Sequence, residues 1–223
     1  ALHWTQLSAD SDDGFGLNNL GVLYRYGQGV AKSEAEAIKL FEQAIELNCA
    51  EAYYNLGDMY YKGEGVPQDI DLSFELMHKS AELGSSGGQC ALGEMYRLSR
   101  DYEQAEHWFL IAAEEGAAFA QHCLGLMHLR GDGVTQNSAK AKEWCLKAAK
   151  QGEVEAQLSL GRMYADGAGI EKDAESAIFW FEQAANAGNA MAQFNLAAMH
   201  YDGSAGQQNF DEAMRWFHAS AEK

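Results

Sequence analysis

The sequence has few basic residues and no long apolar stretch. It carries 16 lysines and arginines against 33 acidic residues, a formal charge of -17 at pH 7. Because nucleic-acid affinity depends largely on basic side chains that neutralise phosphates, this balance argues against nucleic acid as the main partner and against an anionic membrane surface. No apolar run reaches the about 20 residues of a membrane helix, and no signal peptide is recognisable. We therefore expect a soluble protein without membrane insertion.

Cysteine is sparse and irregularly placed. The four cysteines, Cys49, Cys90, Cys123 and Cys145, include no Cys-x-x-Cys spacing and do not recur at a fixed interval. We expect reduced, mostly buried thiols in small apolar positions. Such thiols slightly favour a cytoplasmic over a periplasmic or secreted compartment, which the sequence otherwise leaves unknown.

What is present is a repeat of about 36 residues. A residue that follows leucine marks each copy, and the markers are Gly21, Gly57, Gly93, Gly125, Gly161 and Ala197, spaced by 36, 36, 32, 36 and 36 residues. Apolar residues fall at helical spacing around each marker, and a second helical pattern follows a short loop, which contains glycine in most copies. Because one helical hairpin cannot bury both of its apolar faces, we expect stacked hairpins.

The marker glycines need a structural reason. A glycine inside a helix costs about 0.5 to 1 kcal/mol relative to alanine. We interpret them as sites where the paired helix comes close and a bulky side chain takes the space that a Cβ atom would fill. The expected bulky residues are Leu40, Leu76, Trp108, Trp144 and Trp180.

Three motifs resemble the Sel-1-like repeat family, a relative of the tetratricopeptide repeats. They are Leu-Gly-x-x-Tyr in the first helix, the loop with Gly65–Val66 and Gly133–Val134, and Ala-x-x-Trp-Phe-x-x-Ala-Ala in the second helix. The resemblance implies an all-α fold, a right-handed α-solenoid superhelix of antiparallel helix pairs, with residues 14–223 forming six hairpins in one domain. Trp4 lies at the spacing of the later tryptophans, so residues 1–13 are predicted to be the trailing helix of a preceding repeat, an N-terminal cap.

The same resemblance implies a bacterial adaptor that binds a peptide or a partner's surface in a concave groove lined by the first helices. By family geometry, the exposed positions lie six and three before the marker and one, four and five after it. Arginine and aromatic residues, which dominate binding hot spots, are frequent there. The predicted binding residues are Arg25, Tyr26, Tyr54, Tyr61, Arg97, Phe119, His122, Arg130, Arg162, Phe194 and Tyr201.

Asparagines occupy the position two before the marker in three repeats. They are Asn19, Asn55 and Asn195. Related superhelices use such asparagines to bond the backbone of a bound peptide, which adds these three residues to the predicted site. The alternative for the whole set is that its side chains pair with neighbouring carboxylates along a solvated surface.

No spacing in the sequence supports catalysis. Ser220 and Lys223 match the Ser-x-x-Lys of penicillin-recognising enzymes, but the companion motifs are missing. His128 and His200 occupy the tyrosine position of the repeat. We therefore predict no catalytic residue, metal or cofactor, and a scaffold or adaptor function. The alternatives are a self-assembling solenoid that associates end to end and a hydrolase of the lactam-binding type.

Overall fold

Every regular element in residues 13–204 and 206–222, the part described by the computed structural model, is an α-helix. We number the twelve helices there α1 to α12. Their bounds are α1 Gly14–Tyr26, α2 Glu34–Glu46, α3 Ala50–Lys62, α4 Ile70–Glu82, α5 Ser86–Leu98, α6 Tyr102–Glu114, α7 Ala118–Arg130, α8 Ser138–Lys150, α9 Val154–Asp166, α10 Ala174–Asn186, α11 Ala190–Asp202 and α12 Phe210–Ala221. The predicted N-terminal cap lies, apart from Asp13, outside the described residues.

Each odd-numbered helix, here called a leading helix, packs against the even-numbered trailing helix that follows it. The turn between α9 and α10 shows how the sequence makes a hairpin. Gly167 ends α9 in the left-handed conformation at φ 70°, and its N–H donates to the carbonyl of Met163, a helix cap that glycine adopts at little cost. The carboxylate of Asp173 then accepts from the N–H of Ser176 at 3.1 Å and starts α10, as N-cap residues do.

The helices form two compact units, residues 1–112 and residues 113–223. In the first unit Leu20, Phe41 and Leu56 belong to one buried cluster. In the second unit Phe181 and Leu196 belong to another. The predicted all-α fold of paired helices is confirmed in both units, while the assignment of residues 14–223 to one domain stays a prediction.

The marker glycines lie where leading and trailing helices come closest. A Cβ atom on Gly21 would lie 2.6 Å from the ring of Phe41, and one on Gly93 would lie 2.8 Å from the ring of Phe109. The ring of Phe181 approaches Gly161 in the same way. The predicted close approach is therefore confirmed, since these three glycines each leave room for an aromatic ring.

At Gly57 the predicted Leu76 lies nearest, but in the three hairpins above the residue that fills this space is not the predicted one. It follows the Trp or Leu position, as Phe181 follows Trp180. Because successive residues of a helix point about 100° apart, Phe181 faces its own leading helix. Trp180 instead packs against the buried cluster that Cys145 of the preceding hairpin forms with Leu160 of α9. The tryptophan therefore joins neighbouring hairpins.

We expect Gly161→Ala to lower the free energy of unfolding. The added methyl group would overlap the ring of Phe181, and overpacking of this kind costs about 1 to 3 kcal/mol. That cost exceeds the gain of about 0.5 to 1 kcal/mol in helix propensity. Urea unfolding followed by circular dichroism measures the difference.

Gly57→Ala is the matched control for this substitution. A Cβ atom there would lie 3.2 Å from Leu76 Cβ and 3.3 Å from the flexible end of Met77, so we expect a smaller loss or none. A Gly161→Ala variant as stable as the wild type would contradict the packing argument.

Candidate functional site

In each unit, we call the surface formed by the predicted exposed positions of its leading helices the leading-helix face. Five of the predicted aromatic side chains are between 39 and 57 % exposed there: Tyr26 and Tyr61 in the first unit, and Phe119, Phe194 and Tyr201 in the second. Tyr54 is only partly exposed, and burial raises the pKa of its phenol. Phe194 also contacts Phe217 of α12 edge to face, yet half of its side chain remains exposed.

The position three before the marker is buried in three of its six copies, contrary to the prediction. Asn18, His122 and Leu158 are 4, 8 and 5 % exposed. Within each unit this position faces the next leading helix. Asn55 Nδ2 donates to Asn18 Oδ1 at 2.8 Å, and His122 Nε2 lies 3.0 Å from Ser159 Oγ. The expected exposure of His122 is therefore wrong, because neighbouring leading helices pack through this position.

His122 and Ser159 resemble a nucleophile and its base only in their distance. Burial, and secondarily the charge of Arg130, lowers the pKa of His122 to about 4, so the ring is neutral at pH 7. Ser159 lies in the middle of α9, where backbone N–H groups are bonded within the helix and are not available to stabilise an oxyanion. The contact links two helices.

Two of the predicted arginines are held by carboxylates of the same unit. Arg25 is 2 % exposed; its Nη2 lies 2.6 Å from Asp58 Oδ2 and its Nε 2.9 Å from Glu64 Oε2. Arg97 forms a two-point pair with Glu94, one turn earlier on α5, at 2.6 and 2.7 Å. For these two residues the salt-bridge alternative of the sequence analysis describes the structure. Asp58 and Glu64 were not predicted as partners.

The arginines of the second unit differ. Arg130 and Arg162 are exposed, and neither forms an ion pair with the residues that the structure describes. Repeat register explains the case of Arg162. In the first unit the same repeat position is held by Asp58, which pairs with Arg25. In the second unit the position that corresponds to Arg25 is held by Leu129, which has no charge to pair with Arg162.

The asparagine position shows the same contrast. Asn19 is exposed and Asn55 is bonded to Asn18. By repeat register Asn195 corresponds to a partner position held by Leu158, whose side chain has no acceptor. Within the described chain the Nδ2 of Asn195 is buried without a hydrogen-bond partner. A buried donor left unpaired costs about 1 to 3 kcal/mol.

Arg162 and Asn195 line one cleft of about 530 Å³ between α9 and α11. Its other charged residues are Asp166, Lys172 and Asp202. Asp202 Oδ1 accepts from the backbone N–H of Ser204 at 2.7 Å, and hydrogen bonding with Ser204 lowers its pKa. Lys172 belongs to a loop, where helical periodicity does not place a side chain, and it was not among the predicted site residues.

Metal ligands, helix length and the cysteines bear on other kinds of site in the described part of the chain. No three His, Cys, Asp or Glu side chains come together to hold a metal ion among residues 13–204 and 206–222. The helices there have 12 or 13 residues, too few to cross a membrane. None of the four cysteines forms a disulfide bond, and burial raises the pKa of Cys145 to about 12, which keeps this thiol protonated and unreactive.

Paired helices repeated along the chain define an α-solenoid. The family model described as Sel1 repeat matches six times, at residues 15–49, 50–85, 86–116, 118–153, 154–189 and 190–223. The chain therefore belongs to the Sel1 repeat family, and the resemblance seen in the sequence is confirmed. Proteins of this family generally act as protein-interaction scaffolds, and the fold is typically non-catalytic.

Solved structures agree with this assignment. The protective antigen c5321 of uropathogenic Escherichia coli is 34 % identical with a TM-score of 0.83, and the match covers 99 % of this chain and 48 % of that one. The chain thus spans about half the length of c5321. A Sel1 repeat protein from Oxalobacter formigenes is 29 % identical with a TM-score of 0.86, covering 95 % of this chain and 86 % of that one. A search of curated proteins found no significant match.

We expect Arg25→Met to destabilise the protein far more than Arg97→Met. Breaking a buried pair leaves carboxylates without their partner and costs about 3 to 5 kcal/mol, reduced here because Lys62 still holds Asp58 at 2.8 Å. Arg97 pairs along its own helix on a partly exposed surface, a contact worth about 0.2 to 1 kcal/mol. Urea midpoints of the two variants test the difference; equal losses would contradict it.

His122 should make stability depend on pH. Its pKa of about 4 in the folded chain lies below the usual value near 6.5, so the unfolded chain takes up the proton first. Stability is therefore complete above pH 6.5 and falls by up to about 3 kcal/mol as the pH drops through 4. Urea unfolding between pH 7 and 4.5 should show wild type losing stability relative to His122→Gln, and parallel curves would disprove the assignment.

Proposed function

We propose that this chain is a non-catalytic adaptor that binds an extended peptide, or a surface of a partner protein, on its leading-helix face. One observation carries the proposal. In the second unit the exposed rings of Phe119 and Phe194 share this face with Arg130 and Arg162, which have no ion pair within the described chain. Aromatic rings and arginine are the side chains that contribute most to binding.

The charge balance of the chain supports this interpretation. With 33 acidic and 16 basic residues, the chain has more carboxylates than cations to pair with them. On trailing helices of the same unit Lys147 lies 2.9 Å from Glu143, and Arg215 lies 3.2 Å from Glu212. Exposed arginines without such a partner remain able to make charge-assisted bonds to a ligand.

The contacts of Ser220 speak against the hydrolase alternative. Its hydroxyl donates to the carbonyl of Ala190 at 2.9 Å, and Ser80, in the same repeat position, donates to Ala50 at 2.7 Å. Ser80 has no lysine three residues later, so this bond belongs to the repeat and does not require the Ser-x-x-Lys match. A hydroxyl engaged in this way joins helices.

Self-association is the second candidate function, favoured by the exposed apolar residues of α12. Phe210 and Met214 are 54 and 65 % exposed, and clustered exposed apolar side chains often mark contact surfaces. The leading-helix face is preferred because it combines exposed rings with exposed, unpaired arginines.

Site-specific photocrosslinking tests the proposed function. With p-benzoylphenylalanine at Tyr61, Phe119 or Phe194 in native host cells, we expect discrete heavier bands that mass spectrometry identifies as a partner protein. The matched control is Phe179 on trailing helix α10, which is 50 % exposed and should give no such band. Equal crosslinking from Phe179 would refute the assignment of the face, and a band at twice the chain's 24.5 kDa would favour self-association.

A further inference from the structure

We propose that the cleft between α9 and α11 binds a carboxylate group of a peptide, through Arg162, Lys172 and the side-chain amide of Asn195. The inference rests on the proposed adaptor function and names the ligand chemistry at one part of the leading-helix face. The argument starts from two polar side chains, Arg162 and Asn195. At the repeat positions that supply their partners in other hairpins, this unit has leucine.

Arg162 is the cationic part of the cleft. At the same repeat position the first unit has Asp58, which accepts a hydrogen bond from Arg25 at 2.6 Å. In the second unit this position carries the basic Arg162 in place of an acid, and Leu129 stands at the position of Arg25. The guanidinium of Arg162 therefore lies exposed in the wall of the cleft. A guanidinium binds a carboxylate through two parallel N–H bonds, which makes this group the expected anchor.

Neither of the two carboxylates in the cleft, Asp166 and Asp202, forms an ion pair with Arg162 in the described structure. Asp166 lies four residues later on α9, but acid following base at this spacing is the weaker order in a helix, and no ion pair forms between them in the described structure. Asp202 already accepts the N–H of Ser204. Lys172 adds a second cation to the cleft lining.

Asn195 supplies a neutral donor. Its register counterparts Asn55 and Ser159 bond Asn18 and His122 of the preceding leading helix, whereas Leu158 holds the corresponding partner position for Asn195, whose Nδ2 has no acceptor among the residues described. Because the last torsion of asparagine is soft, the amide can turn this donor to an oxygen of a ligand in the cleft. A peptide carbonyl next to the bound carboxylate has the required chemistry.

The size of the cleft fits a short piece of peptide. Its volume of about 530 Å³ lies within the range of about 300 to 1,000 Å³ that is usual for small-ligand sites. The carboxylate can come from an Asp or Glu side chain or from a peptide C-terminus, and both offer the same two oxygens to Arg162. The experiment separates these sources.

The test is an NMR titration of the chain with three hexapeptides. Acetyl-Ala-Glu-Ala-Glu-Ala-Glu-amide carries only side-chain carboxylates, acetyl-hexaalanine carries only a C-terminal carboxylate, and acetyl-Ala-Gln-Ala-Gln-Ala-Gln-amide carries none. We expect the Arg162 Nε–H and Asn195 amide signals to shift with the first, the second or both, which identifies the source. The glutamine peptide should leave them unchanged. Equal shifts with all three peptides, or none with any, would overturn the proposal.

Substitutions of the cleft residues distinguish a loss of peptide binding from a loss of folding. Arg162→Gln should weaken the responding peptide at least tenfold, while Arg215→Gln, which removes an exposed arginine from trailing helix α12, should leave affinity unchanged. Asn195→Leu should weaken binding at least threefold and raise the urea midpoint, because it removes an unpaired buried donor. Unchanged affinity in Arg162→Gln would refute the site.

The two proposals fail in different ways. If Phe119 and Phe194 crosslink a partner but no peptide shifts the Arg162 signal, the carboxylate site is wrong and the adaptor function stands. If the peptides bind as expected but crosslinking is equal from Phe179, the cleft stands and the wider face does not.

Discussion

The structure depends on the space that a missing Cβ atom leaves between paired helices. Phe181 fills this space against Gly161, and Phe41 and Phe109 do the same in their own hairpins. Since this ring fixes the rotation of the trailing helix about its axis, it also directs the preceding residue, such as Trp180, toward the neighbouring hairpin. One close contact therefore sets both the pairing within a hairpin and the stacking between hairpins.

Stacking in turn decides which polar groups are satisfied inside the chain. Within a unit, the position three before the marker meets the position two before the next marker, so Asn18 bonds Asn55 and His122 bonds Ser159. The repeat thus provides a fixed set of pairing positions along the leading helices. If the facing residue can form a hydrogen bond or an ion pair, the two side chains bond to each other and link the helices. If the facing residue is apolar, the polar side chain remains able to bind a ligand.

This distinction explains how repeats of one fold differ in surface chemistry. Arg25 and Arg162 both belong to the predicted site, but Arg25 is buried between two carboxylates whereas Arg162 opens to a cleft. The helices that carry them both have 13 residues and both end at a left-handed glycine. Small changes at pairing positions therefore alter the surface chemistry while the hairpin itself is kept.

The sequence by itself determined the six repeats, the helical hairpins and the need for glycine at the markers, because helical periodicity and backbone conformation are local properties. It also placed Phe119, Phe194 and Arg162 correctly as exposed. Only the tertiary structure decided that Phe181 rather than Trp180 fills the glycine space, that His122 is buried and Arg25 neutralised, and that Lys172 joins Arg162 and Asn195 in one cleft. These outcomes depend on the rotation of each helix about its axis and on contacts between hairpins about 36 residues apart, which no local pattern encodes.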